Sequence, residues 1–257
     1  MKTKKNLIAI ILIISTTMGF AQTAKEISEK ASNVIDMEAM EMSLTLKIYN
    51  AKGRVRVRQI TMASKSFGQI NKTIMKFIAP ADVKGTSILV FDYEKKDDDM
   101  WIYMPAIRKT RRIISSEKGK SFMGSEFTNA DMSKPNMDNF NYKILSSETY
   151  NGHSCWKIET SCKNEDIEDK NGYSKRIAWI EKGTYLCYKI KFYDLSGELH
   201  KVQSIKQYKK QANGKYFAFY MEMKNKQNDR KSQMIINKFQ IGSKLPESSF
   251  TPAMMDK

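Results

Sequence analysis

The side chains in this sequence that could carry covalent or acid–base chemistry are few and scattered. There are two histidines, His153 and His200, and three cysteines, Cys155, Cys162 and Cys187. Ser125 sits in Gly-Ser-Glu, not in the G-x-S-x-G turn that presents a hydrolase nucleophile. No H-E-x-x-H and no glycine-rich phosphate loop occurs. Asp97-Asp98-Asp99 lacks the spaced oxygens and the glycine of a calcium loop. Glu165, Asp166, Glu168 and Asp169 precede Asn171-Gly172 and read as a solvated hairpin tip. His153 follows Asn151-Gly152 and reads as a turn residue. Two histidines are too few to complete a zinc set with these thiols. Nucleophile, base and orienting group are nowhere assembled, so the sequence reads as a non-enzyme that needs no metal and no cofactor. An exported hydrolase with an unrecognised site stays open, with His153 and His200 as the bases to check.

What remains is binding chemistry. The chain holds 17 methionines, and flexible thioethers suit surfaces that rearrange around varied ligands, although core filling explains many of them equally well. Met75, Met100, Met104 and Met123 fall in one stretch with Phe77, Trp101 and Phe122. The same stretch carries four cations, Arg108, Lys109, Arg111 and Arg112. The formal charge is +16, a magnitude that bears on partners and on solubility.

The address decides which partners count. Lys2, Lys4 and Lys5 precede the apolar run Leu7 to Ile14, and Gly19-Phe20-Ala21 fits a small-x-small cleavage site. Residues 1–21 are therefore expected to be a cleaved signal peptide, and residues 22–257 one exported domain. Those three lysines are the only charges in the leader, so its removal lowers the formal charge from +16 to +13. An exported chain in a bacterial periplasm meets anionic headgroups in place of nucleic acid. Each Lys or Arg near such a surface adds about 1 kcal/mol of attraction, enough for a transient hold. Scattered lysines that keep sheet edges from aggregating give the same charge with no partner at all. Cys155 and Cys162 lie seven residues apart in an extended run, roughly 20 Å or more and beyond disulfide reach. The spacing predicts no structural disulfide.

The elements around these residues read almost wholly as strands. Thr23-Ala24-Lys25-Glu26 is a capping box, and Ile27, Ala31, Val34 and Ile35 recur at helical spacing, which predicts one opening helix of about four turns. Met42, Leu44, Leu46 and Ile48 then alternate with polar residues. In the return strand Arg54, Arg56 and Arg58 share one side, with Val55 and Val57 on the other. Thr86 to Tyr93, Met100 to Met104 and Arg108 to Ile114 form a meander, its first turn the six charged residues Glu94 to Asp99. Ser115 to Asn136 has no clear period. Beyond it, strands recur between Asn151-Gly152, Asn171-Gly172, Lys182-Gly183, Ser196-Gly197 and Asn213-Gly214. About a dozen strands at this spacing predict a mainly β protein, a single large antiparallel sheet curled into an open or partial barrel.

Four short motifs in one order then carry a resemblance. They are M-K-F-x-x-P-A-D-V-K-G-T at Met75 to Thr86, W-I-Y-M-P-A-I-R at Trp101 to Arg108, R-R-I at Arg111 to Ile113, and S-F-M-G-S-E-F at Ser121 to Phe127. This order resembles the LolA-like family of periplasmic outer-membrane lipoprotein-sorting proteins. The resemblance implies an open half-barrel whose concave face is covered by helices. It also implies a carrier that takes acylated lipoproteins, or lipids, from the inner towards the outer membrane. A resistance-nodulation-division type inner-membrane transporter and an outer-membrane acceptor are the partners it suggests. Alternation and position put Leu44, Leu46, Ile48, Met75, Phe77, Ile88, Val90, Trp101 and Tyr103 in the lining of the hollow. Arg108, Lys109, Arg111 and Arg112 are assigned to headgroups or a partner. The alternative is a non-catalytic binding subunit of an envelope transporter assembly, with a filled barrel.

Overall fold

The computed structural model describes residues 22–257; the expected leader at residues 1–21 lies outside the described residues. Alternation, short turns and scarce proline give strand after strand. They are β1 (Ala39–Tyr49), β2 (Val55–Phe67), β3 (Ile70–Ala79), β4 (Ser87–Tyr93), β5 (Asp99–Met104), β6 (Lys109–Arg112), β7 (Phe140–Tyr150), β8 (His153–Cys162), β9 (Lys175–Glu181), β10 (Cys187–Tyr193), β11 (Leu199–Lys210), β12 (Tyr216–Asn225) and β13 (Lys231–Ile241). All pair antiparallel in one sheet of order β6-β5-β4-β3-β2-β1-β13-β12-β11-β10-β9-β8-β7. The register between β1 and β13 joins the two halves, and the gap falls between the edges of β6 and β7. The result is an open half-barrel.

The chain between those two edges does not run outside the sheet. Residues 113–139 fold into the concave side as a plug, opened by the single-turn helix α2 (Ser115–Lys118). Phe122 and Phe127 of the plug are buried against Leu46, Phe77 and Ile88 of the sheet, with the Phe77 and Phe122 rings 6.2 Å apart. The N-terminal helix, here α1 (Ala24–Asn33), carries the expected capping box but runs to 10 residues, shorter than expected. Its Ile27 packs on Ile158 of β8 and on Ala178 and Ile180 of β9. A further helix, α3 (Glu165–Asn171), replaces the expected hairpin tip. The Asn164 side chain accepts from the Ile167 N–H at 3.0 Å, and Gly172 ends the helix at φ 75°. Acids in the first turn favour the positive helix end, so the same residues that looked solvated start a helix.

The convex face is covered in part by the C-terminal tail. Phe250 and Met255 pack there on Ala63, Ile74 and Leu89, beside Trp101 and Tyr103.

Candidate functional site

Between the plug and the concave face a cavity of about 430 Å³ remains open. Its floor crosses eight neighbouring strands. Met75 of β3, Ile60 and Met62 of β2, Met42 and Leu44 of β1, and Met234 and Ile236 of β13 make one end. Met221 of β12, Gln203 and Ile205 of β11, Ile190 and Phe192 of β10, and Arg176 of β9 continue it. The roof is the plug, through Phe122, Phe127, Ala130, Asp131 and Met132. Residues on loops, α2 and α3 line the polar side, among them Lys96, Asp97, Asp98, Lys118, Lys134 and Lys170. Three of the four lysines are held within the protein. Lys170 pairs with Asp97 at 2.9 Å and Asp166 at 2.8 Å, Lys134 pairs with Asp36 at 2.9 Å, and Lys118 donates to the Asp98 carbonyl at 2.8 Å.

The nine expected lining residues divide three ways. Leu44 and Met75 face the cavity. Leu46, Ile48, Phe77, Ile88 and Val90 lie on the same concave face but within the sealed cluster that includes Phe122 and Phe127. Trp101 and Tyr103 are corrected to the convex face. The register pairs Val90 with Met100 and Leu89 with Trp101, so Met100 and Ile102 point inward while Trp101 follows Leu89 outward. There it meets Phe91 edge-on at 5.0 Å, and both Trp101 and Tyr103 lie beneath the tail. The pattern of β2 is likewise inverted at its start. Val55 and Val57 are exposed and Arg58 is buried, its guanidinium 5.9 Å from the centre of the Phe77 ring.

The four cations of the basic arm are all exposed. Arg111 reaches Glu117 at 2.7 Å and Arg112 pairs with Asp99, so Arg108 and Lys109 are the two of the four outside an ion pair among the described residues. Among the described residues neither histidine is hydrogen-bonded to a hydroxyl. His153 Nδ1 lies 2.6 Å from Glu181 with its ring stacked on Tyr188 at 4.1 Å, and His200 Nε2 lies 3.2 Å from Asn225. Burial pushes the Cys162 and Cys187 thiols up to about 12, which suppresses the thiolate that nucleophilic cysteine chemistry requires.

The rim carries a pH-dependent cost. Asp92 accepts from the Lys134 N–H at 2.9 Å, yet burial still pushes its carboxyl up to about 6. The unfolded chain loses this proton near pH 4 and the folded chain keeps it to about pH 6. Stability therefore falls as pH rises through that window, and the loss is complete above it. Asn in place of Asp92 keeps an acceptor and removes the charge. Asp92→Asn is expected to be more stable than the parent by about 2 kcal/mol at neutral pH and equal to it near pH 4. Denaturant unfolding at the two pH values measures this; equal stability at both would show that the carboxyl ionises freely.

The open, curled antiparallel half-barrel is a LolA-like fold. A family model described only as an uncharacterized protein matches residues 69–257, and the chain belongs to that family. No curated protein matches the sequence. Among solved structures, a domain assigned to outer membrane lipoprotein sorting from Vibrio parahaemolyticus is 26% identical with a TM-score of 0.84, over 91% of this chain and 98% of that one. A DUF1329 family protein from Desulfovibrio piger is 25% identical with a TM-score of 0.83, over 90% and 97%. A LolA superfamily protein from Nitrosomonas europaea shares the fold at 20% identity and a TM-score of 0.70, over 90% and 98%.

Proposed function

We propose that this protein is a periplasmic carrier that takes an acyl chain of a lipoprotein or lipid into the cavity beneath the plug and ferries it towards the outer membrane. The observation that carries the reading is the cavity itself, apolar along its floor except at Gln203 and Arg176 and left unfilled by the chain. Its volume lies within the ~300–1,000 Å³ range of small-molecule sites, near the low end. A chain of about fifteen methylenes costs roughly 12 kcal/mol to expose to water, which forbids unaided crossing of the periplasm. An apolar hollow removes most of that barrier while leaving transfer between sites near neutral, so the acceptor sets the direction. The five methionines of the floor, Met42, Met62, Met75, Met221 and Met234, can repack around chains of different length. Likeness to lipoprotein-sorting and LolA-superfamily folds supports the same reading. Residues 1–21 are proposed as the leader that delivers the chain to the periplasm. Arg108 and Lys109 would meet anionic headgroups during loading, and a transporter and an outer-membrane acceptor would complete the route.

Among the described residues no helix is long and apolar enough to cross a membrane. The competing reading, a filled barrel acting as an envelope subunit, requires a sealed core beneath the plug. Native mass spectrometry and lipid extraction of protein purified from its own periplasm separate the two. Copurified acyl species are expected; an empty protein that ignores a fluorescent fatty-acyl probe overturns the carrier. The paired variant test is Ile236→Trp, which places an indole in the cavity floor. It is expected to weaken acyl-probe binding at least tenfold while the protein stays folded by circular dichroism. Unchanged probe affinity in the folded variant would place the acyl site elsewhere.

A further inference from the structure

Arg176 stands apart from the other cations that border the cavity, of which Lys96 is exposed to solvent over the Tyr93 ring at 3.7 Å. Lys118, Lys134 and Lys170 hold carbonyls or carboxylates of the protein. Arg176 has no ion pair and no hydrogen bond from its guanidinium among the described residues; its contact is the face of Phe140, 5.4 Å from the ring centre. An unpaired cation in apolar surroundings is costly, and guanidinium is the side chain best shaped to grip a carboxylate or phosphate with two parallel hydrogen bonds.

Its neighbours do not neutralise it. Tyr142 and Tyr173 are pushed up to about 12 by burial, so both phenols stay uncharged. Asp131 is the one carboxylate that acts on it, more weakly than the two phenols, and it makes no ion pair with Arg176 among the described residues. Its carboxylate is held by the Thr128 N–H at 2.7 Å, and burial pushes it up as well.

Position completes the argument. The cavity floor runs from Met75 on β3 to Arg176 on β9. Those strands are separated by seven gaps of ~4.8 Å, roughly 34 Å measured along the sheet, and less along its concave side. One end is lined by methionine and branched aliphatic residues and the other by the guanidinium. That polarity matches an amphiphile lying across the strands.

We propose that Arg176 is an anion-binding residue inside the cavity, and that the cargo is an acyl amphiphile with an acidic head, its carboxylate or phosphate on the guanidinium and its chain over the β1–β3 and β13 floor. This rests on the carrier reading and adds the headgroup class to it.

The test compares three C16 probes on the full mature protein by calorimetry: palmitate, palmitoyl lysophosphatidic acid and neutral hexadecanol. Both acids are expected to bind at least tenfold more tightly than hexadecanol. Relative affinity of the two acids identifies carboxylate or phosphate as the natural head. In Arg176→Met the acids should fall to the level of hexadecanol while hexadecanol is unchanged, and Arg176→Lys should recover part of the difference. Equal binding of all three probes by the parent protein overturns the role of Arg176 but keeps the carrier. Failure of every probe overturns the carrier itself. If Arg176→Met does not fold, the probe series on the parent protein still decides.

Discussion

Glu126→Ala is expected to cost about 3 kcal/mol of folding stability and to loosen the plug from the sheet. The Glu126 side chain is 5% exposed and sits in the loop that follows Phe122. Its carboxylate lies 3.0 Å from the Arg230 guanidinium, 2.9 Å from the Asn225 amide and 3.9 Å from the Lys201 ammonium. The backbone joins in: the Glu126 N–H donates to Ser232 Oγ at 3.0 Å, and the Glu126 carbonyl accepts from Lys201 at 2.8 Å. Arg230 also donates to the Gly124 carbonyl at 3.0 Å. One short loop is thus tied to β11, β12, β13 and the turn between the last two.

Removing the carboxylate takes the counter-charge from both cations and an acceptor from the amide, and leaves Lys201 and Arg230 only the backbone carbonyls of residues 126 and 124. Breaking a buried pair from one side costs about 3–5 kcal/mol. The low end applies because Arg230, at 37% exposed, can turn to water, whereas Lys201, at 14%, cannot. Burial already depresses the Lys201 pKa, and Glu126 is the largest influence raising it. Glu126→Gln keeps the shape and one acceptor, for Arg230 or for Asn225 but not for both, and should cost about 1–2 kcal/mol. Urea unfolding of the three proteins gives the comparison. If Glu126→Ala loses no more than an exposed charge substitution would, the clasp contributes nothing and the plug is held by Phe122 and Phe127 alone.

The clasp also shows where sequence reading stops. Strand rhythm and turn glycines made the open sheet legible, because alternation and turn chemistry are local signals. Asn151-Gly152 is a case in point, with positive φ of 49° and 86° as a tight hairpin turn between right-twisted strands requires. The plug had no local signal. Its fold depends on partners 75 to 106 residues further along the chain, and Glu126 looks like any loop acid until those partners are in place. Half of the cavity lining was hidden for another reason. In β11 and β12 apolar residues fall on both faces, so no clean alternation marks Ile205 or Met221 as inward, although Lys189-Ile190-Lys191-Phe192 in β10 does alternate. Register was equally invisible: a shift of one residue in β5 exchanges Trp101 for Met100. Arg176, one cation among 44 lysines and arginines, becomes distinct only when its strand is seen to face the cavity.

The contact between Gly119 and Gly172 gives the second large effect. Gly119 ends α2 and Gly172 ends α3, and they meet backbone to backbone beside Lys118, Lys170 and Asn171 of the cavity rim. A Cβ on Gly119 would lie 2.7 Å from the Asp169 carbonyl oxygen and 2.8 Å from the Gly172 nitrogen. A Cβ on Gly172 would lie 2.7 Å from the Gly119 carbonyl oxygen. These are main-chain atoms and cannot rotate aside, so α2 and α3 must separate. Gly119→Ala has no φ penalty, because its φ is −70°, and overpacking alone should cost about 2 kcal/mol. Gly172→Ala adds left-handed strain at φ 75°, about 1 kcal/mol more, for a total of about 3 kcal/mol. Gly53→Ala supplies the control: φ is 76° and nothing lies within 4 Å of its added Cβ, so it reports strain alone. The double variant should cost less than the sum of the singles, because one separation relieves both clashes. Release of a bound acyl probe should be faster in each rim variant and unchanged in Gly53→Ala. A Gly119→Ala protein with parental stability would mean that α3 yields without cost, and the rim could then not restrain a bound chain.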